Sequence, residues 1–89
     1  MTKYQQITNR FSVKEIGEIY GLGKTTAIKY VKLFQKEVES GDSMINSRYL
    51  FHPNRRIKEV DLDAFDYFMK NFNSFQDEVQ RKKLNEFKN

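Results

Sequence analysis

The chain has 89 residues, with 16 Lys and Arg against 12 Asp and Glu and a formal net charge of +4, a length that fits one small domain with a modest core and leaves no room for a second. It contains no cysteine and one histidine, His52, which excludes disulfides, thiolate chemistry and zinc sites built from cysteine or several histidines. Its longest apolar run is three residues, as in Tyr49-Leu50-Phe51, far short of the roughly 20 that a membrane span needs. The polar start Met1-Thr2-Lys3-Tyr4 lacks the apolar core of a signal peptide, so a soluble, cytoplasmic protein without a cofactor is expected.

Residues 1–10 are polar and read as a flexible N-terminus. Ser12-Val13-Lys14-Glu15 then forms a capping box, with Phe11 and Ile16 as its hydrophobic staple. Val13, Ile16, Ile19 and Tyr20 keep helical spacing, which predicts a first helix over 13–20. Gly21-Leu22-Gly23 ends it, Gly21 supplying the positive φ of a tight turn.

A second helix is predicted from Lys24, with Ala27, Tyr30, Val31, Phe34 and Val38 facing inward. The opposite face carries Lys24, Thr25, Ile28, Lys29, Lys32 and Lys36. Four lysines and no acid lie between positions 24 and 36, whereas a merely solvated helix usually mixes signs for i,i+4 pairing. Ser40-Gly41-Asp42-Ser43 reads as a loop. A short β-hairpin is predicted next, with strands at Arg48–Phe51 and Arg55–Lys58 and a turn at His52-Pro53-Asn54.

From Glu59 a third, long helix is predicted, the acids Glu59, Asp61, Asp63 and Asp66 favouring the positive end of its dipole. Phe65, Phe68, Phe72, Phe75 and Val79 repeat at three, four, three and four residues, and the pattern lapses near Lys82-Lys83. Leu62, Phe65 and Met69 are expected to cap the core. About 18 residues of helix exceed 25 Å, so Phe68, Phe72, Phe75 and Val79 form a candidate partner or dimer interface. Folding back onto the domain is the open alternative, and disorder is an open reading for Arg81-Lys82-Lys83 and Phe87.

Position gives the charge its meaning. Residues 1–58 hold 11 basic and 5 acidic side chains, net +6, and residues 59–89 hold 5 and 7, net −2. Two short helices joined by a three-residue glycine turn and followed by a basic hairpin describe a winged helix-turn-helix. The expected fold is therefore mainly α with a small β-hairpin: a winged helix-turn-helix over 11–69 plus a C-terminal helical extension over 70–89. Such a fold lays its second helix in the major groove of double-stranded DNA and its wing on the backbone or minor groove. The candidate DNA-binding residues are Lys24, Thr25, Thr26, Ile28, Lys29, Lys32, Arg48, Arg55, Arg56 and Lys58. Ile28 reads either as a thymine-methyl contact or as packing at the core edge, and Thr25 and Thr26 either as contacts or as ordinary first-turn residues.

Val13-Lys14-Glu15-Ile16-Gly17, Gly21-Leu22-Gly23-Lys24-Thr25-Thr26 with Tyr30, Arg55-Arg56-Ile57, and Ile57-Lys58-Glu59-Val60-Asp61-Leu62 follow one another at set spacings. On these motifs residues 11–66 resemble the MerR-type winged helix in its excisionase branch. The resemblance implies a non-enzymatic DNA-binding and DNA-bending accessory protein of a phage or other mobile element, an excisionase or recombination-directionality factor. Its partners would be an integrase or a second copy of the chain. Lys24, Thr25, Ile28 and Lys29 map onto groove-facing positions and Arg55 and Arg56 onto the wing. The chain departs from the pattern at Gly23, where serine is usual, in the longer segment Glu39–Ser47, and in the aromatic tail. A small transcriptional or replication-control regulator of a phage or plasmid is the close alternative, and a protein-binding oligomerisation adaptor a further one.

The motif around Gly23-Lys24-Thr25 does not complete a phosphate-binding loop, because the glycine required five places earlier is Glu18. His52 beside Pro53 reads as a turn residue, since a general base needs a partner and a pocket. Asp61, Asp63 and Asp66 lack the glycine-bearing loop of a calcium site. No enzymatic activity and no metal are expected.

Overall fold

The computed structural model describes residues 9–53 and 58–88. Its elements are a strand β1 (Arg10–Ser12), helices α1 (Val13–Tyr20) and α2 (Lys24–Val38), a 3₁₀ turn (Ser47–Tyr49), and strands β2 (Leu50–Phe51) and β3 (Glu59–Asp61). Helices α3 (Leu62–Lys70), α4 (Phe72–Gln76) and α5 (Glu78–Lys83) complete it. The fold is mostly helical with one small three-stranded antiparallel sheet of order β1-β3-β2.

The capping box forms as written: Ser12 Oγ accepts from Glu15 N–H and Glu15 Oε1 accepts from Ser12 N–H, satisfying two of the donors a helix start leaves open. Gly21, at φ 66°, ends α1 in the left-handed region. Leu22 N–H then donates back to the Gly17 carbonyl at 2.8 Å. At Gly17 the two helices approach so closely that a Cβ would lie 3.2 Å from the Leu22 carbonyl and 3.4 Å from the Ala27 Cβ. This short turn and close approach set α2 against α1.

Ala27, Val31, Phe34 and Val38 form the buried stripe of α2. Around Phe34 gather Ile16, Phe65 and Phe68, with Val60, Leu50, Tyr49 and Phe75 completing the same core. The sheet closes one side of it. Val60 of the central strand stands opposite both Phe11 of β1 and Leu50 of β2, and residues directly opposite share a face.

That rung corrects the predicted hairpin. The described strand that pairs with Leu50–Phe51 is Glu59–Asp61, where Val60 meets both Phe11 and Leu50; residues 55–57 of the predicted second strand lie outside the described residues. The first strand begins at Leu50, since Arg48 and Tyr49 lie in a 3₁₀ turn whose Asn46 cap accepts from Arg48 N–H at 2.8 Å. The third helix accordingly begins at Leu62 rather than Glu59, with Asp61 as its N-cap accepting from Ala64 N–H at 3.0 Å. The start of the chain is also more ordered than expected at Asn9 and Arg10. The Asn9 carbonyl accepts from Leu62 N–H, while the Arg10 guanidinium lies 4.3 Å from the centre of the Phe51 ring and 3.2 Å from Glu59 Oε1. Residues 1–8 of the expected flexible terminus lie outside the described residues.

The predicted single long C-terminal helix is three short ones. The Asn71 side chain donates to the Tyr67 carbonyl at 2.9 Å and closes α3, and Asp77 Oδ1 accepts from Val79 and Gln80 N–H to start α5. The breaks turn the chain back over the core, where Phe72 and Phe75 meet Phe68 at ring-centre distances of 5.6 and 5.3 Å. A small domain gains from covering that apolar area internally. Arg81 and Phe87 are pinned rather than disordered: Arg81 bonds Glu37, Ser40 and Asp42, and Phe87 packs on Tyr49 and Tyr67. Among the described residues no helix is long and apolar enough to cross a membrane.

Candidate nucleic-acid interface

Two stripes of α2 share one spacing and point opposite ways. Ala27, Val31, Phe34 and Val38 are buried, and Thr25, Lys29, Lys32 and Lys36 are exposed. Both repeat at four, three and four residues and are offset by two positions, about 200° around an α-helix. The polar stripe thus lies straight across the helix from the core. Among the described residues none of Lys29, Lys32 and Lys36 enters an ion pair. The one acid of α2 that faces the rest of the fold, Glu37, is taken up by Arg81 on the helix flank.

Lys24 and Thr26 are also exposed, on the first turn of α2. Gly23 caps that turn without a side-chain hydrogen bond, so the first amide donors are left to an outside acceptor. Ile28 is half-buried and lines an open groove of about 830 Å³ between α1, the turn and α2, together with Val13, Gly17 and Leu22. Lys14 and Lys24 belong to the same lining. Ile28 is therefore neither core nor free surface, and its methyl groups remain reachable from outside.

The hairpin candidates separate. Arg48 is exposed in the 3₁₀ turn, its Nη2 donating to the Tyr49 hydroxyl at 3.0 Å. That bond, made to the charged form, holds the Arg48 guanidinium above its ordinary pKa. Lys58 is half-buried immediately before β3. Arg55 and Arg56 lie outside the described residues. At the near end of the hairpin His52 Nε2 is 3.7 Å from Glu39 Oε2, beside the end of α2.

The proposed interface on the tail is corrected. Phe68 is 0% and Phe75 4% exposed, and Phe72 is packed edge-on against Tyr30 at 5.4 Å. Of the four residues read as a partner face, Val79 alone is exposed, at 61%. One apolar side chain is not a contiguous patch. Lys36 joins the exposed lysine stripe although it did not stand among the candidate residues, and Lys14 lines the groove beside the acid Glu18. For Lys36 the signal was its phase with Lys29 and Lys32.

The rest of the site is structural. Tyr20 O–H donates to Asp66 Oδ1 at 2.9 Å, tying α1 to α3, and burial with that bond pushes the phenol above its usual range. Asp66 in turn is held below the ordinary carboxylate value by Lys70 at 2.9 Å and by the same phenol. Among the described residues no group of three or more His, Cys, Asp and Glu side chains is arranged to hold a metal ion. Comparison of the chain with family models, with curated proteins and with solved structures gave no match.

Proposed function

We propose that the chain is a sequence-specific, non-enzymatic binder of double-stranded DNA, built as a winged helix-turn-helix of MerR-like type. In this reading α2 enters the major groove, and the β2–β3 hairpin is the wing on the backbone or minor groove. The observation that carries it is the acid-free stripe Thr25, Lys29, Lys32 and Lys36, set opposite the core on a 15-residue helix. Such a helix is about 22 Å long, and its bare width suits a groove about 12 Å across.

The roles divide by chemistry. Lys29 and Lys32 reach bases or phosphates, Thr25 and Thr26 offer hydroxyls at the helix start, and Ile28 offers methyl groups to thymine. Lys24 and the uncapped first turn suit a phosphate oxygen. Arg48, Lys58, Arg55 and Arg56 supply the wing's charge. Within the class, an excisionase or recombination-directionality factor acting with an integrase rests on the resemblance of residues 11–66. A small phage or plasmid regulator of transcription or replication would use the same surface, and an integrase gene beside this one favours the first.

Titration with duplex DNA at several salt concentrations tests the class. Phosphate neutralisation releases counterions, so log affinity should fall linearly with log salt, by about 0.9 per contact. A slope near zero sinks the proposal.

A further inference from the structure

The C-terminal strap ends on a candidate DNA contact. Arg48 Nη2 donates to the Tyr49 hydroxyl at 3.0 Å, and its Cζ sits 5.0 Å from the centre of the same ring. Tyr49 is buried, and its ring meets Phe87 edge-on at 5.1 Å and 81°. Phe87 is held in turn from two sides: its ring lies 5.5 Å from that of Tyr67, and its N–H donates to the Met44 carbonyl at 2.8 Å. The Tyr67 hydroxyl donates to the Asn85 carbonyl beside it.

The strap is anchored at its other end by Arg81. Arg81 Nε is 3.0 Å from both carboxylate oxygens of Glu37 on α2, and its Nη2 is 2.7 Å from Asp42 and 3.0 Å from Ser40. The two fixings bracket the segment that runs from the end of α2 to the 3₁₀ turn carrying Arg48. An arginine gives up rotamer freedom when it is fixed. A guanidinium already laid along a clamped ring has lost part of that freedom before any ligand arrives.

We infer that residues 81–87 are a positioning strap for the DNA-binding surface: Phe87 clamps Tyr49, and Tyr49 presents Arg48 as a preformed phosphate-binding cation. Phe87 and Tyr49 are positioning residues, and Arg48 makes the contact. This rests on the DNA reading above.

The test is a double-mutant cycle in duplex affinity on the full chain, at a temperature where each variant is folded by circular dichroism. Arg48→Ala should weaken binding about tenfold and lower the salt slope by about 0.9, the loss of one phosphate contact. Phe87→Ala, which removes no charge, should weaken binding several-fold in the parent chain and not at all in the Arg48→Ala background. Tyr49→Phe removes only the hydroxyl that Arg48 bonds and leaves the ring packing, so it should reproduce the Phe87→Ala loss without lowering Tm appreciably. If wild-type binding shows no salt slope, the DNA reading itself fails. If wild type binds with a steep slope but Arg48→Ala changes nothing, or the Phe87 and Arg48 losses multiply, or Tyr49→Phe binds like wild type, the strap is packing only and the inference falls while the DNA reading stands.

Discussion

Phe68 and Val79 belong to one three-and-four repeat, yet Phe68 meets Phe34, Phe72 and Phe75 at ring-centre distances of 5.3–5.6 Å while Val79 faces solvent. Spacing tells which residues share a helix face and nothing about where the helix stops. The two side chains therefore separate in energy. Phe68→Ala should cost about 3–5 kcal/mol, the range for emptying a fully buried aromatic site, and Val79→Ala less than about 0.5 kcal/mol. Urea unfolding of both variants checks this, and similar losses would mean that the tail does not pack as described. Lys29 poses the matching question on the other face. Lys29→Ala should cost about 1–3 kcal/mol on a preferred DNA site and much less on random duplex if the side chain reads a base. Equal losses in a competition titration would make it a phosphate contact. The stripe that holds Lys29 was legible in the sequence, because a one-signed helix face needs only period and charge to be seen. The Arg48–Tyr49–Phe87 stack was not: Phe87 falls out of phase with the aromatic stripe and lies beyond the last helix, and its partner is 38 positions away in the chain.

At the level of elements, legibility follows how local the determining forces are. Helix α1 was readable end to end, since Ser12, Glu15 and Gly21 fix both its caps within its own ten residues. The strand β3, where a helix start is predicted, is not legible because three residues carry almost no pattern, and its place is decided by Val60 meeting Phe11 and Leu50 from distant parts of the chain. The C-terminal helix was overextended for a different reason. Asn71 and Asp77 are tolerated inside helices and favoured at their ends, so local sequence leaves the choice to tertiary packing. Asp77 now makes the end explicit, its Oδ1 receiving two backbone N–H groups at 2.9 and 3.2 Å. Asp77→Ala should cost about 1 kcal/mol. Hydrogen exchange of the Val79 and Gln80 amides should speed up in the variant while that of α1 changes no more than global stability requires. Unchanged protection at 79 and 80 would show that the cap is not what starts α5.

Across the whole molecule the basic N-terminal part and the acidic C-terminal part are not two bodies, because the chain folds back and couples them through ion pairs. Arg81 of the acidic part binds Glu37 and Asp42 of the basic part, and Asp66 with Tyr20 makes a second tie. Two acids of that part, Glu37 and Asp42, are thereby paired with Arg81, while Lys24, Lys29, Lys32 and Lys36 stay exposed and outside these pairs. This coupling has a pH signature. Hydrogen bonds from Arg81 and Ser40 lower the Asp42 carboxyl from its ordinary 3.8 to about 2 in the folded chain. Asp66 is lowered as well, by Lys70 first and by Tyr20. A carboxylate depressed by folding contributes stability that is fully present above its unfolded value and is lost as pH falls through the folded one. Thermal stability should accordingly be level down to about pH 4 and then drop toward pH 2. Asp42 is exposed, so salt should shrink its share of the drop. Asp42→Asn removes the titrating group at every pH. Its Tm should lie below that of wild type at pH 6 and approach it near pH 2, giving a flatter profile between pH 4 and 2 by circular dichroism. Two parallel profiles would show that Asp42 titrates alike in the folded and unfolded chain and that the Arg81 contact does not hold the tail in solution.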